Sequence, residues 1–397
     1  MPLNLRRFQE AEQLLNSESF WTQCGGLYEA CPWATALQSP AFVRSWYAFY
    51  KQQYEPILIC EFSAHGDLMG FLPLARHSAS GHTVLAGAHQ AEYKSWLALP
   101  SNGTSFIDGA LKLVAKETDI RALSFRYLSP GTPVPERMVT RGLSWISELE
   151  SHPRPFISLT TPSAAADYIQ QKSNSTVRNS RNRLRKMGNL QLERIQETET
   201  LLPIFDELIC WYDTRQGTEH GKKAFQHDPN KKNWHLQLLK DRLLHVTILK
   251  VGTEIISGVF GMSDGKTYTL AMSMFCPAYA RYSPVVVHHL LLVERLQQEG
   301  YKVLDLTPGT DPFKERFAAG YDSVNVLSIY LKRGEWFRAK VREHGLAFAK
   351  PVLSAFGIAP MSLYQKLERI EILLGLKKAP QGAPALPPSQ SLQNPPG

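Results

Sequence analysis

Residues 267–332 constrain the fold more than any other part of the chain. The run TYTLAMSMFC (267–276) has the β-branched and aromatic content of a strand, and PAYARYS (277–283) reads as a loop. A helix then opens with Ser283 as N-cap and Pro284 at the first helical position, carries apolar residues at helical spacing, and stops at Gly300. Residues 302–306 form a second short strand, TPGTDPFKERFAAG a loop, and 323–332 a third strand. A strand that feeds a helix start beside a second strand is a place to hold an anion, because unpaired amides and the helix dipole point at it.

Upstream, the carboxyl half predicts a helix after Thr161-Pro162, a basic helical segment, and a strand at 190–195. A long helical region at about 199–239, interrupted near 217–229, leads into a meander of strands at 244–251, 254–262 and 266–276. The amino half predicts a helix at 40–53, a hairpin of strands 56–62 and 68–76, a strand at 83–87, a helix at 106–117 and a strand at 122–127. A further strand is expected near 143–148, and SHPRP (151–155) is the natural break between the halves. The expected organisation is an amino lobe (1–150), a carboxyl lobe (156–333), a basic amphipathic helical extension (334–377) and a disordered Pro-rich tail (378–397).

Composition excludes several classes. Five scattered cysteines without a CxxC pair argue against a disulfide frame or a zinc site, and the adjacent His288 and His289 point about 100° apart on a helix, so no metal is expected. No apolar run reaches the ~18 residues a spanning helix needs, and MPLNLRRFQEAEQLL lacks a signal's apolar core, so a cytoplasmic chain is expected. The net charge of +8 is partly local: residues 170–191 hold six cations and no acid. Arg178, Arg181 and Arg185 share a helical face there, as suits a phosphate-bearing ligand.

The motif DLTPGTDPFK resembles the Asp-x-x-x-Gly-x-x-x-[Tyr/Phe]-Lys signature of the CelD/BioF2-like acetyltransferases, relatives of the FemAB transferases within the GCN5-related N-acetyltransferase (GNAT) superfamily. QSPAFVRSWYAFY and GFLPL are similar to that family's entry helix and second strand, so the likeness spans about residues 37–331. It implies an α/β (α+β) fold: tandem acetyltransferase-like, GNAT-type mixed sheets flanked by helices, in two lobes. It also implies acyl transfer from acetyl- or another acyl-coenzyme A to an amine or hydroxyl of a small molecule or glycan, linked to exopolysaccharide or cellulose biosynthesis.

On that basis Asp305, at the end of an apolar strand, and Lys314, after Phe313, enter the catalytic set with Tyr282 as proton donor to the leaving thiolate. Tyr268 and Tyr279 are the other candidate acids flanking the cleft. The amides from Ser283 through Val285 to Val286 are the expected cofactor cradle, aided by Arg178 and Arg181; Arg215, Tyr268 and Phe313 are expected to face the acceptor. The chain departs from the family at Val285, where glycine is usual and lets backbone approach a pyrophosphate.

Two alternatives remain open: Fem-like transfer from aminoacyl-tRNA, with the basic segment on RNA but without the coiled-coil arm some Fem proteins insert, and a non-catalytic binding module. DNA is not an expected partner. The stretch 336–350 has apolar residues interleaved with cations, so either packing on the carboxyl lobe or a peripheral contact with the inner membrane is expected of it.

Overall fold

The computed structural model describes residues 3–136, 145–221, 223–309 and 311–341, all within one compact unit, Met1–His344. The first sheet contains β1 (Leu3–Arg7), β2 (Tyr54–Phe62), β3 (Leu68–His77), β4 (Thr83–Leu85) and β5 (Leu97–Ala98). Its order is β1-β2-β3-β4, with β5 also on β3, and every pairing is antiparallel. The β2–β3 turn closes as its residues require: Gly66 takes φ +89° and Ser63 N–H donates to the Asp67 carbonyl at 2.7 Å.

Helices α1 (Phe8–Leu15), α2 (Glu18–Ala30), α3 (Pro40–Tyr50) and α4 (Gly103–Val114) cover this sheet. In α3 the Ser39 hydroxyl accepts from Phe42 N–H at 3.3 Å and Pro40 occupies the first turn. Its apolar spacing then buries Phe42, Val43, Trp46, Tyr47 and Tyr50.

The second sheet has eight strands in the order β6-β13-β7-β12-β11-β10-β9-β8. They are β6 (Ala122–Leu128), β7 (Ile146–Ser158), β8 (Leu190–Ile195), β9 (Leu244–Val251), β10 (Glu254–Ser263), β11 (Thr267–Phe275), β12 (Val303–Asp305) and β13 (Gly320–Tyr330). Its helices are α5 (Ala164–Lys172), α6 (Ser175–Met187), α7 (Thr198–His220), α8 (Lys231–Lys240), α9 (Pro284–Gln298) and α10 (Pro312–Phe317). Side-chain alternation divides them between the faces. Val259 packs with Leu292 and Val293 of α9, while its neighbour Phe260 joins Phe205 of α7, Trp234 of α8 and Phe42 of α3 in a core shared with the first sheet.

That shared core, and β7 itself, correct the expected break at residues 151–155. SHPRP lies inside one continuous strand whose Pro153 and Pro155 stand opposite Ser323 and Tyr321 of β13. The prolines are tolerated because β12 pairs with β7 only as far as Phe156; past it Leu306 N–H donates to the Pro155 carbonyl at 3.1 Å, a bond that needs no proline N–H. The loop expected after β12 also contains a helix, α10, capped by Asp311, which accepts from Phe313 N–H at 2.7 Å. The expected extension beyond residue 341 and the Pro-rich tail lie outside the described residues.

Among the described residues, only β11 and β12 run parallel, and only over Thr267–Thr269 against Val303–Asp305. There β12 ends while β11 continues to Phe275, so the two strands part at their carboxyl ends with α9 connecting them. The amino end of β11 is tightly packed. Tyr268 is fully buried beside His245 and Tyr301, and a Cβ on Gly261 would lie 2.2 Å from its ring. Gly261→Ala is therefore expected to cost about 1–3 kcal/mol through overpacking, read as a lower urea midpoint at unchanged slope. A midpoint equal to wild type would show that the ring can move aside.

Candidate active site

Asp305 closes β12 and is 1% exposed. Its carboxylate accepts from Tyr93 O–H at 2.5 Å and from Thr307 N–H at 2.7 Å, and Arg154 on the neighbouring β7 stands 3.6 Å away. Arg154 in turn forms a two-pronged pair with Asp322 of β13, at 2.8 and 2.5 Å. Burial pushes the Asp305 carboxyl above its ordinary range, against the opposing pull of Arg154 and the two hydrogen bonds. Tyr93, supplied by the first lobe 212 residues earlier, is pushed far above an ordinary phenol by burial and by that carboxylate. No motif spacing links these two residues.

Beyond Asp305 the chain makes a strained turn. Thr307, β-branched, takes φ +64° and Gly309 takes φ +135°. A threonine in the left-handed region costs on the order of 1–3 kcal/mol and persists only when its surroundings hold it. Here Thr307 N–H is tied to Asp305, and its hydroxyl donates to the Leu306 carbonyl at 2.6 Å. The same hydroxyl accepts from Lys314 Nζ at 2.8 Å, and Lys314 reaches back from α10 to the Pro308 carbonyl at 3.0 Å as well. Two of three ammonium hydrogens are thus fixed on the turn. Burial lowers the Lys314 pKa, opposed by the carboxylates of Glu92, Asp311 and Asp305. Asp305 and Lys314 are therefore brought together, through Thr307. Phe313 packs against His289 and Phe317; its ring belongs to the hydrophobic packing under α10.

The start of α9 differs from the expected cradle. Ser283 occupies the N-cap position but in a left-handed conformation (φ +48°), and its side chain makes no capping bond. Ser283 N–H is spent on the Ala280 carbonyl, Pro284 has no N–H, and Val286 N–H is spent on the Ser283 carbonyl at 3.0 Å. Val285 retains the one amide without a hydrogen bond among these four residues. A diphosphate needs several convergent donors, so this turn does not fit one as the sequence led us to expect.

The remaining candidates are dispersed. Tyr282 packs with Tyr279 against a small core of Leu184, Leu249 and Val287, separate from the group around Phe313 and α10. Tyr279 is bonded to Glu254, and Tyr268 is core. None of the three tyrosines joins the Asp305–Lys314 network, whose phenol is Tyr93. Arg215, on α7, donates to the Ser273 carbonyl at 3.0 Å and pairs with Glu219 at 2.8 Å. Ser273 lies on β11 beyond its pairing with β12, so Arg215 sits at the parted stretch. On α6, Arg178 is exposed and donates to the Ser173 carbonyl at 2.5 Å. Arg181 is half-buried, its Nε has no partner, and burial with Arg185 nearby lowers its pKa.

A mixed sheet parted between two parallel strands, with a helix connecting them, places the molecule among GNAT-type acyltransferase folds. Residues 171–315 match the acetyltransferase (GNAT) domain family, and the chain is a GNAT-like mixed α/β fold whose two sheets are flanked by helices. Among solved structures, FemX aligns over 80% of this chain and 98% of its own, with 11% identity and a TM-score of 0.55. A conserved protein of unknown function from Bacteroides thetaiotaomicron aligns over 79% and 97%, with 11% identity and a TM-score of 0.52. The C-terminal domain of a protein from Agrobacterium fabrum, described as a lysylphosphatidylglycerol synthetase, aligns over 78% and 91%, with 15% identity and a TM-score of 0.50. At these identities the likeness is one of fold. No curated protein sequence matches the chain. Among the described residues, no helix is long and apolar enough to cross a membrane.

Proposed function

We propose that this protein transfers an acyl group from an activated donor to an amine or hydroxyl, with the carbonyl placed against Lys314. The observation that carries this reading is the ammonium of Lys314. It is held by a strained turn at the carboxyl end of β12, next to the parted strands, with one hydrogen left for a ligand. A fixed, partly desolvated cation of this kind stabilises the oxyanion that forms when the acceptor attacks. In this reading Asp305 is a positioning residue: it is buried, and its oxygens hold Thr307 and Tyr93.

The GNAT domain favours acyl-coenzyme A as donor in general, whereas the α9 start supplies a single free amide. That shortfall favours a second reading, in which the donor is the aminoacyl-tRNA used by Fem-like relatives and the exposed cations of α6 receive the RNA. Acceptors remain those of the family likeness, a small molecule or a glycan at the cytoplasmic face.

Thermal shift with coenzyme A, acetyl-coenzyme A and total tRNA separates the readings, since a ligand at 100 times its Kd adds about 2.7 kcal/mol. The double variant Arg178→Glu/Arg181→Glu is expected to weaken binding of the true donor, most strongly at low salt, with a steep salt slope if that donor is tRNA. Equal affinity at low ionic strength would return α6 to a solvated face. No response to any of the three ligands would favour a binding module without catalysis.

A further inference from the structure

Strand β7 passes the end of β12 beside Asp305. Phe156 stands opposite Asp305 in the register, and Arg154, two residues away on the same strand, shares its face of the sheet. The Arg154 side chain is 16% exposed. Its Nε and Nη2 donate to the two carboxylate oxygens of Asp322, the residue directly opposite it on β13, and its Nη1 stands 3.6 Å from Asp305 Oδ2. One planar guanidinium thus spans from β13 to β12, with the fork on Asp322 fixing its orientation.

The two Asp305 oxygens have separate duties. Oδ2 accepts from Tyr93 and faces Arg154, while Oδ1 accepts from Thr307 N–H. The Thr307 hydroxyl in turn accepts from Lys314. Arg154 and the Lys314 ammonium are therefore joined without a gap, by an ion pair, a carboxylate and a strained threonine. The groups that act on Asp305 come from four places: Tyr93 from the first lobe, Arg154 from β7, Asp322 from β13 and Lys314 from α10. Burial favours the neutral carboxyl, and Arg154 is the largest influence against it, whereas Asp322 acts with burial.

We propose that Arg154 is a positioning residue: locked by Asp322, it keeps the Asp305 carboxylate charged and in place, and through Thr307 it sets the Lys314 ammonium against the reacting carbonyl. The inference rests on the acyl-transfer reading given for Lys314. Without the guanidinium, a buried carboxylate loses its counter-charge and takes up a proton. A neutral carboxyl holds Thr307 N–H less strongly than a charge-assisted bond does. A threonine at φ +64° relaxes when that hold weakens, and Lys314 then loses its fixed place on the turn.

Transfer kinetics of Arg154→Met across pH, beside hydrogen exchange of the Thr307 amide in the same protein, test this. Transfer that needs ionised Asp305 falls as pH drops through the Asp305 pKa, and removing the cation raises that pKa. The acid limb of kcat should accordingly move up by about one to three pH units, with KM nearly unchanged. Arg154→Lys keeps the charge and should hold the limb close to wild type. Asp322→Asn removes a carboxylate that acts with burial on Asp305, so it should shift the limb to lower pH. In Arg154→Met at neutral pH the Thr307 amide should exchange about tenfold faster while the amides of β10 keep their wild-type rates. A purely structural role would speed both alike. An unmoved acid limb, or Thr307 exchange that is unchanged or rises only with that of β10, would overturn the role. If Arg154→Met does not fold, an acid limb that stays or rises in Asp322→Asn overturns it instead. Exchange needs no transfer, so the two proposals fail separately. Thr307 exchange that depends on Arg154 in a protein without transfer removes the acyltransferase reading alone, and transfer whose pH profile ignores Arg154 removes the positioning role alone.

Discussion

Replacing Lys314 by alanine should reduce acyl transfer by about 100- to 1,000-fold, the range found when one donor to a developing oxyanion is removed. Stability should change far less. The side chain's two bonds go to Thr307 and the Pro308 carbonyl at the edge of the turn, and their loss costs about 1–2 kcal/mol in total. Lys314→Met keeps much of the aliphatic stem and should be equally inactive. The measurement is turnover with whichever donor binds, beside a urea melt of the same preparation. Wild-type turnover in either variant would remove Lys314 from the chemistry.

Asp305→Ala should have the larger effect on the fold. It strips Tyr93 of its acceptor, frees Thr307 N–H in a strained conformation and leaves Arg154 with Asp322 alone. Breaking a buried charged network from one side costs about 3–5 kcal/mol, enough to lower the urea midpoint substantially. Combining Asp305→Ala with Tyr93→Phe should give a coupling energy of about 0.5–3 kcal/mol, because the two share a bond across the lobes. An Asp305→Ala protein as stable as wild type but inactive would make the carboxylate a catalytic base and sink the positioning role assigned to it here.

Elements set by local signals were legible from residues alone. The helix expected from Pro40 is α3, turns around Gly66 and Gly265 delimited hairpins, and the meander expected at 244–276 is β9 to β11 to within a residue or two. Lys314 and Asp305 were legible as a pair because one short motif contains both. What escaped were features fixed by long-range pairing. SHPRP has the composition of a linker, and only the early end of β12 makes its prolines acceptable in a strand. Tyr93 and Arg154 carry no local pattern; both meet Asp305 of the motif only through long-range packing. Ser283 has the residue type of an N-cap, yet its left-handed backbone turns its carbonyl, and not its hydroxyl, toward Val286 and Val287.

Strand β13 lies between β6 and β7, although both precede it by well over a hundred residues. During synthesis β6 and β7 therefore emerge long before the strand that joins them, and β7 waits for β12 on its other side as well. Until about residue 330 has left the ribosome, the nascent chain carries two sheet margins with unpaired backbone groups, a state open to mispairing between neighbouring chains. A chain ending at Ala319 should accordingly accumulate as aggregate, even though it retains the whole GNAT-matching stretch, residues 171–315.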